Sequence, residues 1–159
     1  MICASTVYYG SAAIAIALSA LGTGIGLGLA GAEVMRQGTR QALAQDPLFR
    51  RVLIIGGALI ESGAIITLVA SLLVITQDIT EVSLPYAIAI SGSLLAIGIA
   101  SCVIGIVSSI IVKKAAIAIA RVPLFSGKII TFMLLTQAIM EAPVIFSLIV
   151  HFMIKLRLQ

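Results

Sequence analysis

The chain has 159 residues, 61% of them hydrophobic and 10% charged, with a mean hydropathy of +1.25. A soluble domain is closer to half apolar and a quarter charged, so an ordinary globular core is excluded. The net charge of +4 does not mark a nucleic-acid binder either, because the basic residues stand at the ends of oily runs, where such charges orient membrane segments.

A membrane-spanning helix needs about 20 mostly apolar residues, and the sequence holds four such runs. The first covers residues 9–35. No basic stretch precedes it and it is longer than a signal-peptide core, so it reads as a retained helix. A polar connection with Arg36, Arg40, Arg50 and Arg51 follows, then a second run over 52–75. An acidic link with Asp78 and Glu81 leads to a third run over 86–112. A second basic connection carries Lys113, Lys114, Arg121 and Lys128, and the last run covers 129–153. The pattern predicts an all-α membrane protein of four transmembrane helices. The positive-inside rule puts both basic connections on the cytoplasmic or equivalent side, with the termini and the acidic link opposite. Cys3 and Cys102 have no metal-type or disulfide-framework spacing and read as small apolar fillers. His151 reads as a polar anchor at the membrane interface.

The chain is an internal duplication. Residues 1–80 and 81–159 each contain an oily run, a basic connection and a second oily run with one central glutamate. Glu61 and Glu141 stand 80 positions apart, Arg40 and Arg121 stand 81 apart, and the orientation is the same in both halves. The first run is rich in glycine. Gly22, Gly26 and Ala30 step by four, as do Gly24, Gly28 and Ala32, and small residues at that spacing let membrane helices approach closely. Two stripes predict tight neighbours on more than one side. The third run repeats the pattern weakly in Ser101, Gly105 and Ser109, and in Gly92, Ala96 and Ala100.

Glu61 lies nine residues into the second run, about 14 Å along a helix, and Glu141 lies near the centre of the fourth. A central charged side chain costs roughly 2.5–3.5 kcal/mol on insertion scales, and burial disfavours the ionised form. Each glutamate is therefore expected to be neutral opposite lipid and charged where it meets water or a cation, which is the behaviour of a proton carrier. The other acids have simpler readings: Glu33 is placed to pair with Arg36, and Asp46, Asp78 and Glu81 lie in polar segments.

In this order and spacing, each half resembles the c-subunit, the proteolipid of rotary ATP synthases and ATPases. That family has a glycine-rich first helix, a polar loop with an Arg-Gln-Pro motif, and an essential acid on the second helix. Here the first half offers "GIGLGLAGA", Arg40-Gln41 and Glu61. The second offers "GIVSSIIVKKA", "RVP" at Arg121, and Glu141. Ala42 and Val122 depart from the loop motif. The duplication resembles the vacuolar-type proteolipid, yet both hairpins carry the acid and the loop is F-type-like. The resemblance implies a homo-oligomeric ring in the lipid bilayer of an energy-coupling membrane, bacterial inner or organellar. The first and third helices would form its inner circle. The glutamates would discharge at the stator's a-subunit, and the loops with Arg40, Gln41 and Arg121 would face the central stalk. It implies no nucleotide site, no cofactor and no nucleic-acid partner.

Sodium-type members place Gln on the first helix, Ser after the Glu and a Tyr further along. The matching positions here are Leu27, Ser62 and Ile66 in one half, and Ser108, Ala142 and Phe146 in the other. With Gln137 one turn before Glu141, oxygen ligands are few, so H+ is favoured over Na+. Ser62 and Ser108 remain candidates to support a site together. Pro143 is expected to kink the fourth helix and to free a carbonyl for the Glu141 proton. The alternative is a small four-helix proton-coupled multidrug exporter. Such a cavity is expected to hold cationic drugs on aromatic faces, whereas this chain has no Trp and its Tyr8, Tyr9 and Tyr86 lie near span ends.

Overall fold

The computed structural model describes residues 2–40, 46–77 and 83–158. Four long α-helices carry nearly all of them: α1 (Ile2–Arg40), α2 (Asp46–Ile75), α3 (Leu84–Arg121) and α4 (Ser126–Leu158). All four are long and apolar enough to cross a membrane. Helix is the form such runs must take in hydrocarbon, where each backbone N–H needs a partner within its own segment. Gln41, Asp78 and Glu81 lie outside the described residues.

The helices overrun the apolar runs. At 1.5 Å per residue, α1 with its 39 residues extends about 58 Å, against a hydrocarbon layer of about 30 Å. Much of each basic connection is therefore helical. Lys113 and Lys114 continue α3 through the helix-favouring "AAIAIA" to Arg121. Pro123 then ends it, because the residue before a proline is pushed out of the helical region. Val122 accordingly takes φ −138° and ψ 74°, and a 3-10 turn (Pro123–Phe125) leads into α4. Arg40 and Arg121 are thus exposed last residues of α1 and α3, not mid-loop residues. Glu33 accepts hydrogen bonds from Arg36 at 2.8 Å and Gln37 at 2.6 Å, the pairing expected at this end.

The fold is built around α3, which touches α1, α2 and α4. Its glycines allow backbone to meet backbone. A methyl group on Gly22 would collide with the Cys102 carbonyl, and one on Gly26 with the Gly105 carbonyl. One on Gly98 would lie 2.8 Å from the Ala15 backbone. One glycine stripe of α1 thus seats α3 as the sequence predicts, and Gly98 joins it from outside the quoted stripes. The second stripe differs: Gly24 and Gly28 have nothing within 4 Å, and neither does Gly92 on α3.

Helix α2 lies in the groove between α1 and α3. Its Gly56, Ile60, Gly63 and Thr67 are all buried, spaced 4, 3 and 4 residues apart. Gly63 brings its carbonyl within 2.9 Å of the Ser101 hydroxyl, and Thr67 Oγ1 lies 2.8 Å from the same oxygen. On α4, Met133, Gln137, Val144 and His151 are buried against the bundle. His151 is fully buried, with Nδ1 2.9 Å from Ser93 Oγ. It therefore joins α4 to α3 inside the bundle, at the span end where the sequence suggested an interfacial anchor. At the α1 and α3 starts, Tyr8 stacks on Tyr86 with centroids 6.1 Å apart, and its hydroxyl donates to Gln77 at 3.3 Å.

Candidate functional site

Each glutamate is the sixteenth residue of its helix, midway along α2 and α4. For Glu61 this is deeper than the apolar run implied, because α2 begins at Asp46. Identical placement follows from the repeat, but the surroundings of the two carboxyls differ.

Glu61 is exposed on the outer flank of α2. It lines an open, mostly apolar groove of about 420 Å³ with Ser19, Ala20, Thr23, Gly24 and Leu27 of α1 and Leu68 of α2. The Thr23 hydroxyl is committed to the Ser19 carbonyl at 2.8 Å. Ser62 donates to the Leu59 carbonyl of its own helix at 2.8 Å, so its hydroxyl is not held for the carboxylate. Among the described residues no hydrogen bond or ion pair reaches Glu61. A carboxyl so placed pins no neighbouring helix within the chain.

Glu141 is half-buried, and its Oε1 is enclosed without a hydrogen-bond partner. One turn away, Gln137 is fully buried and donates through Nε2 to the Gly56 carbonyl at 3.4 Å, leaving Oε1 unmatched. Gly56 also faces Val112, since a methyl there would lie 2.6 Å from Val112 Cγ2. Gly56, Val112 and Gln137 therefore mark one level. One turn further from the basic end, the next level holds Ile60, Ser108 and Glu141. Ser108 is fully buried with a hydroxyl that has no partner. The structure thus gathers Glu141, Gln137 and Ser108 in one part of the bundle and leaves Ser62 beside Glu61. Within the chain Ser62 and Ser108 are not hydrogen-bonded to each other, since Ser62 donates to its own helix and the Ser108 hydroxyl has no partner.

Pro143 lies inside the continuous helix α4, and Ser147 donates to the Pro143 carbonyl at 2.9 Å. Among the described residues, Glu141 makes no hydrogen bond to the backbone that Pro143 leaves without a donor. Gly22, Gly26 and Gly105 pack helices within the chain, while Gly24 borders the Glu61 groove.

The sequence matches the family model of the ATP synthase C subunit twice, over residues 11–74 and 91–154. This chain belongs to the ATP synthase C-subunit family. The two matches, each one hairpin long, make it a duplicated two-hairpin c-subunit, an integral multi-pass membrane protein of the ion-transporting rotor. The family is a non-catalytic part of its complex. No curated protein matches the sequence. The c-subunit assignment also accounts for the aromatic residues, since the three tyrosines sit together at the helix ends, far from both glutamates.

The sequence reading misses the hydroxyl clasp of Thr67 and Ser101 on Gly63. Its signal is present in the small residue at 63 and the hydroxyl at 67, one turn apart on the face carrying Gly56.

Proposed function

We propose that this chain is the ion-carrying rotor-ring component of a rotary ATP synthase or ATPase, with Glu61 and Glu141 each carrying one proton. The observation that carries this reading is the pair of carboxyls at mid-helix, neither held by a hydrogen bond or an ion pair among the described residues. In hydrocarbon the neutral acid is favoured. Opposite a water-filled path or a cation the carboxylate is favoured instead, so rotation past such a point loads and unloads the group. Protons rather than sodium fit the Glu61 groove, because beside the carboxyl its lining offers few side-chain oxygens, those of Ser19 and Thr23, and a hard cation requires several oxygen ligands.

The stator's a-subunit is the partner at which each carboxyl discharges, by a cation set against the ring. The basic helix ends at Arg40 and Arg121, with Gln41, face the central stalk on the cytoplasmic or equivalent side. Glu61→Gln and Glu141→Gln remove the proton site while keeping size and polarity. Each is expected to abolish proton-coupled ATP synthesis in membrane vesicles while the complex still assembles. Wild-type coupling in either variant overturns the two-site reading.

A further inference from the structure

The chain's single histidine, His151, takes no part in either carboxyl site. It lies in α4 ten residues beyond Glu141, about 15 Å further from the basic connections. Its side chain is fully buried, against α3. In the first hairpin the corresponding contact is made by Ser71 and Ala12, 80 and 81 positions earlier, where the Ser71 hydroxyl donates to the Ala12 carbonyl at 3.4 Å. That pair does not titrate. In the second hairpin an imidazole and the Ser93 hydroxyl replace it at 2.9 Å, and imidazole is the side chain that changes charge between about pH 5 and pH 8.

The hydrogen bonds fix which ring nitrogen carries the hydrogen. Ser93 has one hydroxyl proton and donates it to the Ile90 carbonyl at 2.9 Å. The Ser93 oxygen therefore accepts, and Nδ1–H of His151 donates. Nε2 is left as a bare acceptor, buried and without a partner among the described residues. Nothing around it suits a cation. On α4 the nearest charge is Lys155, one turn on and of the same sign as an imidazolium; Arg157 follows it, and Glu141 is ten residues back. Helix α3 brings Tyr86 and Cys102, seven and nine residues from Ser93, and no acid. Helix α2, which also touches α4, has no charged residue between Glu61 and Ile75. Helix α1 does not touch α4, and brings only Tyr8 and Tyr9 to this end of the bundle.

We propose that the His151–Ser93 contact is a proton-operated latch: neutral His151 pins the far end of α4 to α3, and a proton taken up at Nε2 releases it. Uptake turns Nε2 from an acceptor into a donor and puts a full charge into a seat that offers it no acceptor. A buried charge without a partner is costly. Outside the seat, near the span end, the imidazolium meets water and lipid headgroup oxygens instead. The proton is supplied by hydronium at that end of the bundle, so acidity there loosens α4. The Ser71 contact holds α2 to α1 whatever the pH, which confines the response to the second hairpin. The latch does not depend on Glu61 or Glu141 carrying protons.

Histidine-selective nitrogen-15 labelling of the full chain in lipid nanodiscs gives one imidazole to follow by magnetic resonance. At about pH 8 the Nδ1–H tautomer is expected; the Nε2–H tautomer overturns the proposal. The melting temperature then reads the latch. As pH falls toward about 5, through the ordinary histidine range near ~6.5, the unfolded chain binds a proton that the folded seat does not accommodate, so stability is lost. The wild-type melting temperature is expected to fall by several degrees more than that of His151→Gln, whose amide can keep a hydrogen bond to Ser93 but does not titrate. The glutamates are common to both chains, so their own response cancels in the comparison. Equal falls in the two chains overturn the latch. If His151→Gln does not fold, the wild-type chain carries the test: the imidazolium signal should appear together with faster hydrogen exchange of the amides over 148–155, and protonation without that acceleration overturns release.

Discussion

Glu61 and Glu141 occupy the same step of the same helix in each half, yet their neighbours set different conditions. Glu61 meets an apolar groove whose Thr23 hydroxyl already bonds its own helix. Glu141 lies one turn from Gln137, whose buried Oε1 has no partner. A protonated carboxyl is what carbodiimides attack, so labelling of both residues is expected to fall as pH rises. Because few oxygens are free to ligate a hard cation, adding sodium at constant ionic strength should not slow labelling at Glu61. Mass spectrometry of the modified peptides reads each site separately, and sodium protection would assign a sodium site instead. The Thr67–Ser101 contact belongs to this scale too. Polar contacts between membrane helices average about 0.6 kcal/mol in measured cycles. Ser101→Ala should therefore lower the melting temperature of the solubilised protein only slightly.

At the scale of the helix, one stripe of glycines sets the fold and its twin does not. Gly26 presses backbone against Gly105, and an added side chain there has no room to move aside because the obstacle is main chain. Overpacking commonly costs about 1–3 kcal/mol, and more is expected where backbones must separate. Gly26→Val should thus greatly reduce folded, detergent-stable protein. Gly24→Ala meets nothing within 4 Å in the chain and gains up to about 1 kcal/mol of helix propensity. It should leave the melting temperature of the separated chain unchanged or slightly raised. Equal damage from the two substitutions would contradict the one-sided packing of α1. The same scale explains why the basic connections look like loops in the sequence. Charge marks where hydrocarbon ends, but it does not end a helix. Lys113 and Lys114 remain in α3 because Ala and Ile carry it onward, and Pro123 is what stops it.

At the scale of the whole molecule, duplication gives the chain two mid-helix carboxyls. A ring of such chains would hold twice as many mid-helix glutamates as chains. Saturating labelling of a purified ring at low pH should add two carbodiimide equivalents per 16.5 kDa chain. Native mass spectrometry counts both quantities at once, and a plateau at one adduct per chain would mean that one carboxyl is inaccessible in the ring. The duplication also ties the two hairpins covalently, so that their junction, where α2 meets α3 and α4, forms within one chain.

The amino-acid sequence by itself determined the four spans, the internal repeat, the mid-membrane glutamates and the resemblance to the rotor proteolipid. Those features follow from local hydropathy, from spacing along one helix and from the rarity of acids in hydrocarbon. Glu33 with Arg36 is legible for the same reason, as neighbours one turn apart. What only the tertiary structure decided is which helix meets which. Periodicity places Gly22 and Gly24 on adjoining faces but does not tell which face α3 takes. His151 does not look buried in the sequence because its burial depends on packing against another helix, where it meets Ser93. Ser62 and Ser108 look like partners there because a hydroxyl's choice between its own carbonyl and a distant carboxylate is settled by packing. The two glutamates look equivalent for the same reason: the repeat fixes their positions, whereas the contacts across α1, α2 and α3 make one groove full and leave the other open.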